Sequence, residues 1–159
     1  MKMGERNEKK FDLIIWGATG YTGKLVCEYI FKNYKSTTLK WALGGRDKSK
    51  IKSLISSLNL YSIPYLIADS NNKNSLLDMT KQTKTICSTV GPYAKYGTLL
   101  VEACIESKTN YCDITGETHW IRKIIDLYHE EATNNNVKIV NSCGSVSYTH
   151  LTLPTNREV

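Results

Sequence analysis

The sequence has no apolar run that approaches the ~20 residues a helix needs to cross a bilayer. It has only three prolines in 159 residues, and no Pro-rich or low-complexity linker divides it. Residues 1–10 are charged and contain no apolar segment, so a signal peptide is not indicated. These absences predict one globular domain preceded by a charged, solvated leader at residues 1–10.

Metal and redox motifs are missing as well. The five cysteines are odd in number, and no two form a Cys-x-x-Cys pair. We expect them to be small buried hydrophobes in a reducing, cytoplasmic environment, and we predict no metal site. The net charge is +6, but the lysines are scattered rather than clustered with aromatics, so no nucleic-acid surface is predicted.

What the sequence does contain is a regular alternation of apolar strands and amphipathic helices. This alternation predicts an α/β fold, a doubly wound parallel sheet of the NAD(P)-binding Rossmann type in three layers, over residues 11–144. We expect the strand order 3-2-1-4-5-6, which places Pro64 in an edge strand, where proline is tolerated. The predicted strands are 11–16, 39–43, 63–68, 85–90, 110–114 and 137–141.

Three glycines spaced three apart follow the first strand and open the first helix. In this context the spacing indicates a dinucleotide-binding loop, because glycine allows the tight turn, the close approach of a pyrophosphate and close helix packing. The unpaired N–H groups and the dipole of the new helix attract the diphosphate. The predicted cofactor-binding residues of this loop are Gly17, Ala18, Thr19, Gly20, Tyr21, Thr22 and Gly23.

Two further cofactor contacts are predicted after the second and third strands. Arg46 stands where an NAD-preferring site usually has an acidic residue that accepts from the ribose 2′-hydroxyl. A guanidinium can clamp a 2′-phosphate, so we predict NADP(H) in preference to NAD(H). Alternatively, Arg46 only borders a helix and Asp47 reaches the ribose. Asp69 either binds the adenine amine or caps the following helix.

The end of the fourth strand is expected to line the crevice at the topological switch point, beside the first strand. The residues predicted to border the ribose and nicotinamide are Val90, Gly91, Pro92 and Tyr93. Tyr96 is predicted to lie near the substrate. Both tyrosines can instead be simple packing residues.

Two carboxylates follow the fifth strand at the same sheet edge. Asp113 and Glu117 are the acidic side chains predicted nearest to a substrate, where a carboxylate can act as acid, base or amine ligand. The competing interpretation is that Thr115 and Glu117 cap the next helix. No catalytic residue is assigned, and His119 and His129 are interpreted as surface or packing residues.

Four stretches together resemble the saccharopine dehydrogenase-like oxidoreductases, also called the trans-acting enoyl reductase family. They read WGATGYTG at 16–23, WALGGR at 41–46, TVGPYAKYG at 89–97 and YCDITGE at 111–117. The resemblance implies an NAD(P)-binding domain followed by a larger substrate and dimerisation domain. It also implies links to lipid or glycolipid synthesis and to membrane or lipid-droplet surfaces. Carried over, residues 17–23 hold the pyrophosphate, Arg46 the adenosine phosphate and residues 90–93 the nicotinamide side.

After Gly144 the sequence departs from the family pattern. Residues 145–159 show neither helical nor strand periodicity, and we expect a non-family tail from a truncated gene, with the substrate domain missing. His150 therefore receives no role.

The resulting hypothesis is the NADP(H)-binding domain of an oxidoreductase that moves hydride to or from a C=C, C=N or C=O bond. The substrate of the full-length protein is expected to be a small molecule or a lipid, and that protein is expected to form a homodimer through the missing domain. This fragment is expected to bind cofactor without turnover. The short-chain dehydrogenase class is excluded, because no tyrosine has lysine four residues on. A non-enzymatic NADP(H)-sensing module remains the alternative.

Overall fold

The computed structural model describes residues 9–35 and 37–144, so most of the predicted leader and all of the predicted tail lie outside the described residues. Strands and helices alternate along the chain, as the sequence predicts. Their bounds are β1 (Phe11–Trp16), α1 (Tyr21–Asn33), β2 (Trp41–Gly45), α2 (Lys48–Leu58), β3 (Tyr65–Ile67), α3 (Lys73–Thr80), β4 (Thr83–Ser88), α4 (Tyr93–Tyr96), α5 (Thr98–Glu106), β5 (Asn110–Asp113), α6 (Thr118–Asn134) and β6 (Ile139–Val140).

The described strands form one six-stranded sheet in the order β3-β2-β1-β4-β5-β6, and every neighbouring pair is parallel. The predicted fold class and strand order are therefore confirmed. Chain progression reverses between β1 and β4, which creates a crevice at their carboxyl ends. Pro64 lies just before the edge strand β3 rather than in it, and its carbonyl accepts a hydrogen bond from the Leu43 amide at 2.9 Å.

Helices pack on both faces of the sheet, and this explains why β1 is apolar at consecutive positions. Ile15 is buried with residues of α1 and α2, whereas Ile14 is buried with residues of α3, α5 and α6. A strand points successive side chains to opposite faces, so a strand covered on both sides needs apolar residues throughout. No helix in the described part of the chain is long and apolar enough to span a membrane.

Five strand boundaries and one short helix differ from the sequence-based expectation. β2 covers Trp41–Gly45 instead of 39–43, β3 covers Tyr65–Ile67 instead of 63–68, and β5 ends at Asp113 instead of at residue 114. β4 covers Thr83–Ser88 instead of 85–90, so Thr89 and Val90 form the loop at its carboxyl end. β6 has two residues instead of five. The four-residue helix α4 was not predicted, because one turn is too short to show a periodic apolar pattern.

Candidate functional site

The loop between β1 and α1 has a geometry that requires glycine at its first and third motif positions. Gly17 has φ +85°, and a Cβ there would lie 2.6 Å from the Val90 side chain. A Cβ on Gly23 would lie 2.0 Å from the Gly17 carbonyl oxygen, a backbone atom that cannot move aside. The loop thus packs α1 directly against the end of β1, which is what close approach of a diphosphate requires.

The amino end of α1 is open to an anion. Gly20 is the N-cap, has extended backbone and is exposed, and no side chain caps this helix end. The first turn contains no acidic residue. The amides of that turn have no partner within the helix, so they and the helix dipole favour a phosphate group. These residues fit the pyrophosphate of a dinucleotide.

A cleft of about 330 Å³ opens at this point, at the carboxyl edge of the sheet. It brings together the glycine loop, Arg46, Ser70 and the loop after β4. Of the residues that line it, Arg46 is the one with a formal charge, and none is acidic. The cleft is lined by Trp16, Gly17, Thr19, Gly20, Gly45, Arg46, Ser70, Thr89, Val90, Gly91 and Tyr96.

A larger depression of about 530 Å³ lies at the amino edge of the sheet, with Phe11, Trp41 and Pro64 among its lining residues. It contains no residue of the glycine loop. We therefore assign the candidate site to the smaller cleft, because its position at the switch point and its open amides match an anionic ligand.

Thr89 lines the cleft, and the sequence analysis gave it no role. Its amide donates to the Trp16 carbonyl at 2.9 Å, and its hydroxyl donates to the same oxygen at 3.0 Å. A Cβ on Gly17 would come within 2.8 Å of the Thr89 hydroxyl oxygen. Thr89 therefore extends the contact between β4 and β1 into the loop region. The available signal was its place at the start of the TVGPYAKYG stretch.

Arg46 lies exposed at the rim, directly after β2. The neighbouring Asp47 is the N-cap of α2, where its carboxylate accepts from the amides of Ser49 at 2.8 Å and Lys50 at 3.1 Å. Hydrogen bonding by Ser49 lowers the pKa of Asp47. The Asp47 carboxylate is thus engaged by α2, whereas the Arg46 guanidinium borders the cleft.

Asp69 is half-buried and does not line the cleft; the next residue, Ser70, does. Its carboxylate accepts from the Asn71 amide at 2.9 Å in a local turn. The cap of α3 is Asn72, whose side chain accepts from the Ser75 amide at 3.1 Å. The adenine contact of Asp69 stays a prediction.

The two loop tyrosines have different surroundings. Tyr93 is buried, donates its hydroxyl to the Ser88 carbonyl at 3.0 Å, and packs its ring 5.6 Å from that of Trp120. Burial raises the pKa of Tyr93 to about 12. Tyr96 is half-buried and lines the cleft, with the Lys95 ammonium 5.1 Å from its ring centre.

Asp113 is buried away from the cleft lining and is surrounded by donors. One carboxylate oxygen accepts from the Tyr111 hydroxyl at 2.9 Å and the Asn141 amide group at 2.7 Å. The other accepts from the backbone amides of Thr115 and Ser142, both at 3.0 Å. In this structure Asp113 joins the ends of β5 and β6.

Glu117 holds the loop after β4 in place. Its carboxylate oxygens accept from the amides of Tyr93 at 2.7 Å and Ala94 at 2.9 Å, so it caps α4 from across the fold. It occupies the N-cap position of α6 but makes no side-chain cap there. The sequence-based alternative was that Glu117 caps the next helix, α6. The side chain instead caps α4, which begins 24 residues earlier in the chain, and no local sequence pattern could reveal this contact.

A strand–glycine loop–helix unit, a cleft at the switch point and an uncapped helix end define a dinucleotide-binding domain of the Rossmann class. The chain belongs to the family described as the saccharopine dehydrogenase NADP binding domain, which it matches over residues 13–140. This confirms the resemblance inferred from the motifs.

Curated relatives agree with that assignment. The trans-acting enoyl reductase of Mycobacterium tuberculosis is 36% identical over 139 residues, covering 86% of this chain and 33% of the relative. That of Mycobacterium leprae is 34% identical over 140 residues, with coverage of 87% and 33%. The chain therefore spans about a third of the length of these relatives.

Solved structures show the same fold. Apo saccharopine dehydrogenase (L-Glu forming) from Saccharomyces cerevisiae aligns with TM-score 0.65 and 14% identity, over 84% of this chain and 27% of that chain. Triphenylmethane reductase from Citrobacter sp., complexed with NADP(H), aligns with TM-score 0.59 and 16% identity, over 82% and 48%. At these identities the likeness concerns the fold alone.

Proposed function

We propose that this domain binds NADP(H) in preference to NAD(H) and, as part of a longer protein, presents the nicotinamide for hydride transfer to or from a C=C, C=N or C=O bond. The observation that carries the proposal is the charge distribution of the cleft. Its lining has open helix amides at one end, Arg46 at the rim and no carboxylate among the described residues. Such a lining favours a ligand with more than one phosphate group.

Each part of the cleft has a distinct task in this proposal. The amides at the start of α1 bind the pyrophosphate, and Gly20 lets it approach the backbone. Arg46 pairs with the 2′-phosphate through charge-assisted hydrogen bonds. Val90 and Gly91 border the ribose and nicotinamide, and Thr89 fixes their position relative to β1.

When bound, NADPH supplies the hydride, and the chain contributes orientation and a positive rim. The name of the mycobacterial relatives favours an enoyl C=C bond as the acceptor. A substrate of lipid type in the full-length protein is part of the same proposal. A homodimer through the rest of the protein and a peripheral membrane or lipid-droplet location belong to the same proposal. This chain by itself is expected to bind cofactor without turnover.

The test is a calorimetric titration of NADPH and NADH against the wild-type chain, Arg46→Ala and Lys48→Ala. Lys48 is the matched control, an exposed cation two residues on that does not line the cleft. We expect Arg46→Ala to weaken NADPH binding about tenfold or more and NADH binding less than about twofold, as a lost 2′-phosphate contact requires. Equal losses, or a wild-type preference for NADH, would contradict the proposal.

A non-enzymatic NADP(H)-sensing module is the second candidate. It is favoured by the scarcity of acid–base groups in the described lining, which contains no histidine, lysine, cysteine or carboxylate. An assay of NADPH absorbance separates the two candidate functions. It uses the full-length mycobacterial relative with a panel of enoyl and imine substrates. Tight binding without oxidation across the panel favours the sensor.

A further inference from the structure

We propose that the depression at the amino edge of the sheet is a second binding site, which takes a small aromatic molecule with one anionic group, a carboxylate or a sulfonate. Its volume of about 530 Å³ lies within the range of about 300–1,000 Å³ that is typical of small-molecule sites. The coenzyme cleft lies at the opposite edge, and the two share no lining residue. The inference therefore does not rest on the proposed function.

The depression is formed by four separate elements of the fold. Phe11 and Trp41 are the first residues of β1 and β2, and Pro64 directly precedes β3. The remaining wall is the carboxyl end of α1, with Phe31 in its last turn and Tyr34 at its C-cap. Because the sheet and its packed helix fix these segments, the shape of the depression does not depend on one loop.

The floor of the depression is apolar. Phe11, Ile30 and Trp41 line it and are no more than 8% exposed. Further apolar lining residues, which pack against the core around Ile30 and Trp41 but are only half-buried, are Phe31, Leu39 and Ile63. Rings and branched side chains of this kind bind a flat apolar body by hydrophobic contact and ring packing. Their remaining exposed surface is available for such a body to cover.

The rim of the depression is positively charged. Lys10, Lys35 and Lys40 line it and are exposed, and none of the described lining residues is acidic. In the described part of the chain, no ion pair joins these three lysines to a carboxylate. The Lys35 ammonium lies 4.3 Å from the ring centre of Phe31, and that of Lys10 lies 5.2 Å from the ring centre of Phe11. The cations thus stand at the border between aromatic walls and water, where an anion can reach them.

The carboxylate of Asp12 is close to this rim but is bound by a lysine outside the lining. It accepts from the Lys84 ammonium at 2.7 Å and from the backbone amide of Lys40 at 2.9 Å. Hydrogen bonding by Lys84 is the largest cause of the lowered pKa of Asp12, and the charge of Lys40 is the smallest. The Lys40 ammonium is therefore available to an external anion.

The direction of α1 distinguishes this ligand from a second nucleotide. The helix ends at the depression, so its last carbonyl groups carry partial negative charge there, in contrast to the amides at its start. A diphosphate is disfavoured at a helix end of that sign. Lys10 and Lys40 instead stand on the strand side, where the Asp12 amide donates to the Lys40 carbonyl at 2.7 Å. We place one anionic group near these two lysines and the aromatic body against Phe31 and Trp41.

The experiment is a fluorescence titration of residues 1–159 with two dyes. One is 8-anilino-1-naphthalenesulfonate, and the other is N-phenyl-1-naphthylamine, which has the same rings without the sulfonate. The double variant Lys10→Gln/Lys40→Gln removes the two cations. Lys52→Gln/Lys123→Gln is the matched control, because both lysines are exposed, line neither site and give the same change in net charge. Circular dichroism verifies that each variant is folded.

We expect the wild-type chain to bind the sulfonate dye about tenfold more tightly than the neutral dye. Lys10→Gln/Lys40→Gln should weaken binding of the sulfonate dye about tenfold and that of the neutral dye less than about twofold. The control should change both by less than about twofold. Equal weakening by the two double variants would overturn the proposal, because net charge alone would explain the affinity. So would the absence of saturable binding of the sulfonate dye to wild type.

Two single variants locate the bound dye. Tyr34→Ala removes a wall residue that is 44% exposed, and we expect it to weaken binding of both dyes about threefold with little loss of stability. Arg46→Ala, at the coenzyme cleft, should leave both affinities unchanged. Weakening by Arg46→Ala without weakening by Tyr34→Ala would place the dye in the coenzyme cleft and refute the second site. Loss of NADPH binding alone would contradict the proposed function and leave this result intact.

Discussion

The loop after β1 and the loops after β4 and β5 end at the same edge of the sheet but satisfy their backbone amides in opposite ways. The first loop is built from small residues and leaves the amides at the start of α1 without a side-chain cap. The other two are closed by carboxylates. Glu117 accepts from two amides of α4, and Asp113 accepts from two amides and two side chains.

The amides at the start of α1 therefore stay available to a ligand, whereas the amides of the other two loops are satisfied by side chains of the protein. A carboxylate at the start of α1 would occupy the same donors as a phosphate and would repel it. Both carboxylates instead lie outside the cleft lining, each with several donors. The cleft keeps Arg46 as its charged side chain, which suits an anionic ligand.

The strongest way to break the comparison is to add one methyl group to the first turn of α1, where it packs against the first loop. Gly23→Ala places a carbon 2.0 Å from the Gly17 carbonyl, so the loop and α1 must separate. We expect a loss of about 3 kcal/mol or more in urea unfolding, because overpacking against backbone cannot be relieved by a rotamer change. NADPH binding in calorimetry is expected to be lost.

Gly116→Ala is the matched control, since a Cβ there has no heavy atom within 4 Å. It should unfold within about 0.5 kcal/mol of wild type and keep its affinity for NADPH. A tolerated Gly23→Ala would mean that the close contact between α1 and β1 is not needed.

The carboxylate of Asp113 provides the next largest effect. Asp113→Asn replaces one acceptor oxygen by a donor NH₂ group, which must then face another donor in a buried position. We expect a loss of about 2–3 kcal/mol in the free energy of unfolding. Affinity for NADPH should change little, because Asp113 does not line the cleft.

Asp126→Asn is its control, because Asp126 is an exposed partner of Arg122 on α6. This exposed pair should contribute less than about 1 kcal/mol. If both variants had the same stability, the network around Asp113 would not stabilise the junction of β5 and β6.

Glu117 gives an intermediate effect that links stability to the cleft. Glu117→Gln removes one of the two acceptor oxygens that cap α4, and we expect a loss of about 1 kcal/mol in urea unfolding. Because Gly91 precedes α4 and lines the cleft, NADPH affinity should also fall about threefold. Glu130→Gln, on the exposed side of α6, should change neither quantity. Unaltered affinity in Glu117→Gln would show that the cap stabilises α4 without positioning the loop.

The sequence predicts the sheet order and the glycine loop because both depend on local patterns. Strand–helix alternation determines topology through right-handed crossovers, and the glycine spacing reports contacts within seven residues. The hydrogen-bond partners of Asp113 and Glu117 could not be predicted, because they depend on contacts between residues that are distant in sequence. Their partners Asn141 and Tyr93 lie more than twenty residues away, so the pattern showed acidic residues at the correct edge without showing what they bind.

The smallest effect comes from a carboxylate at the other end of the sheet, which tests whether a hydrogen-bonded carboxylate stabilises the fold without the burial of Asp113. Asp12 also accepts from a backbone amide, that of Lys40 at 2.9 Å, and from the Lys84 ammonium at 2.7 Å, but in an exposed setting. Hydrogen bonding by Lys84, followed by that of the Lys40 amide, lowers the pKa of Asp12 below 3.8. A carboxyl group with a lowered folded-state pKa stabilises the fold above its unfolded pKa and loses that contribution as the pH falls. Asp12→Asn should therefore cost no more than about 0.5 kcal/mol at pH 7, because solvent screens the pair, and the difference from wild type should vanish in urea titrations well below about pH 4. A loss as large as that of Asp113→Asn would mean that burial does not determine the contribution of these carboxylates.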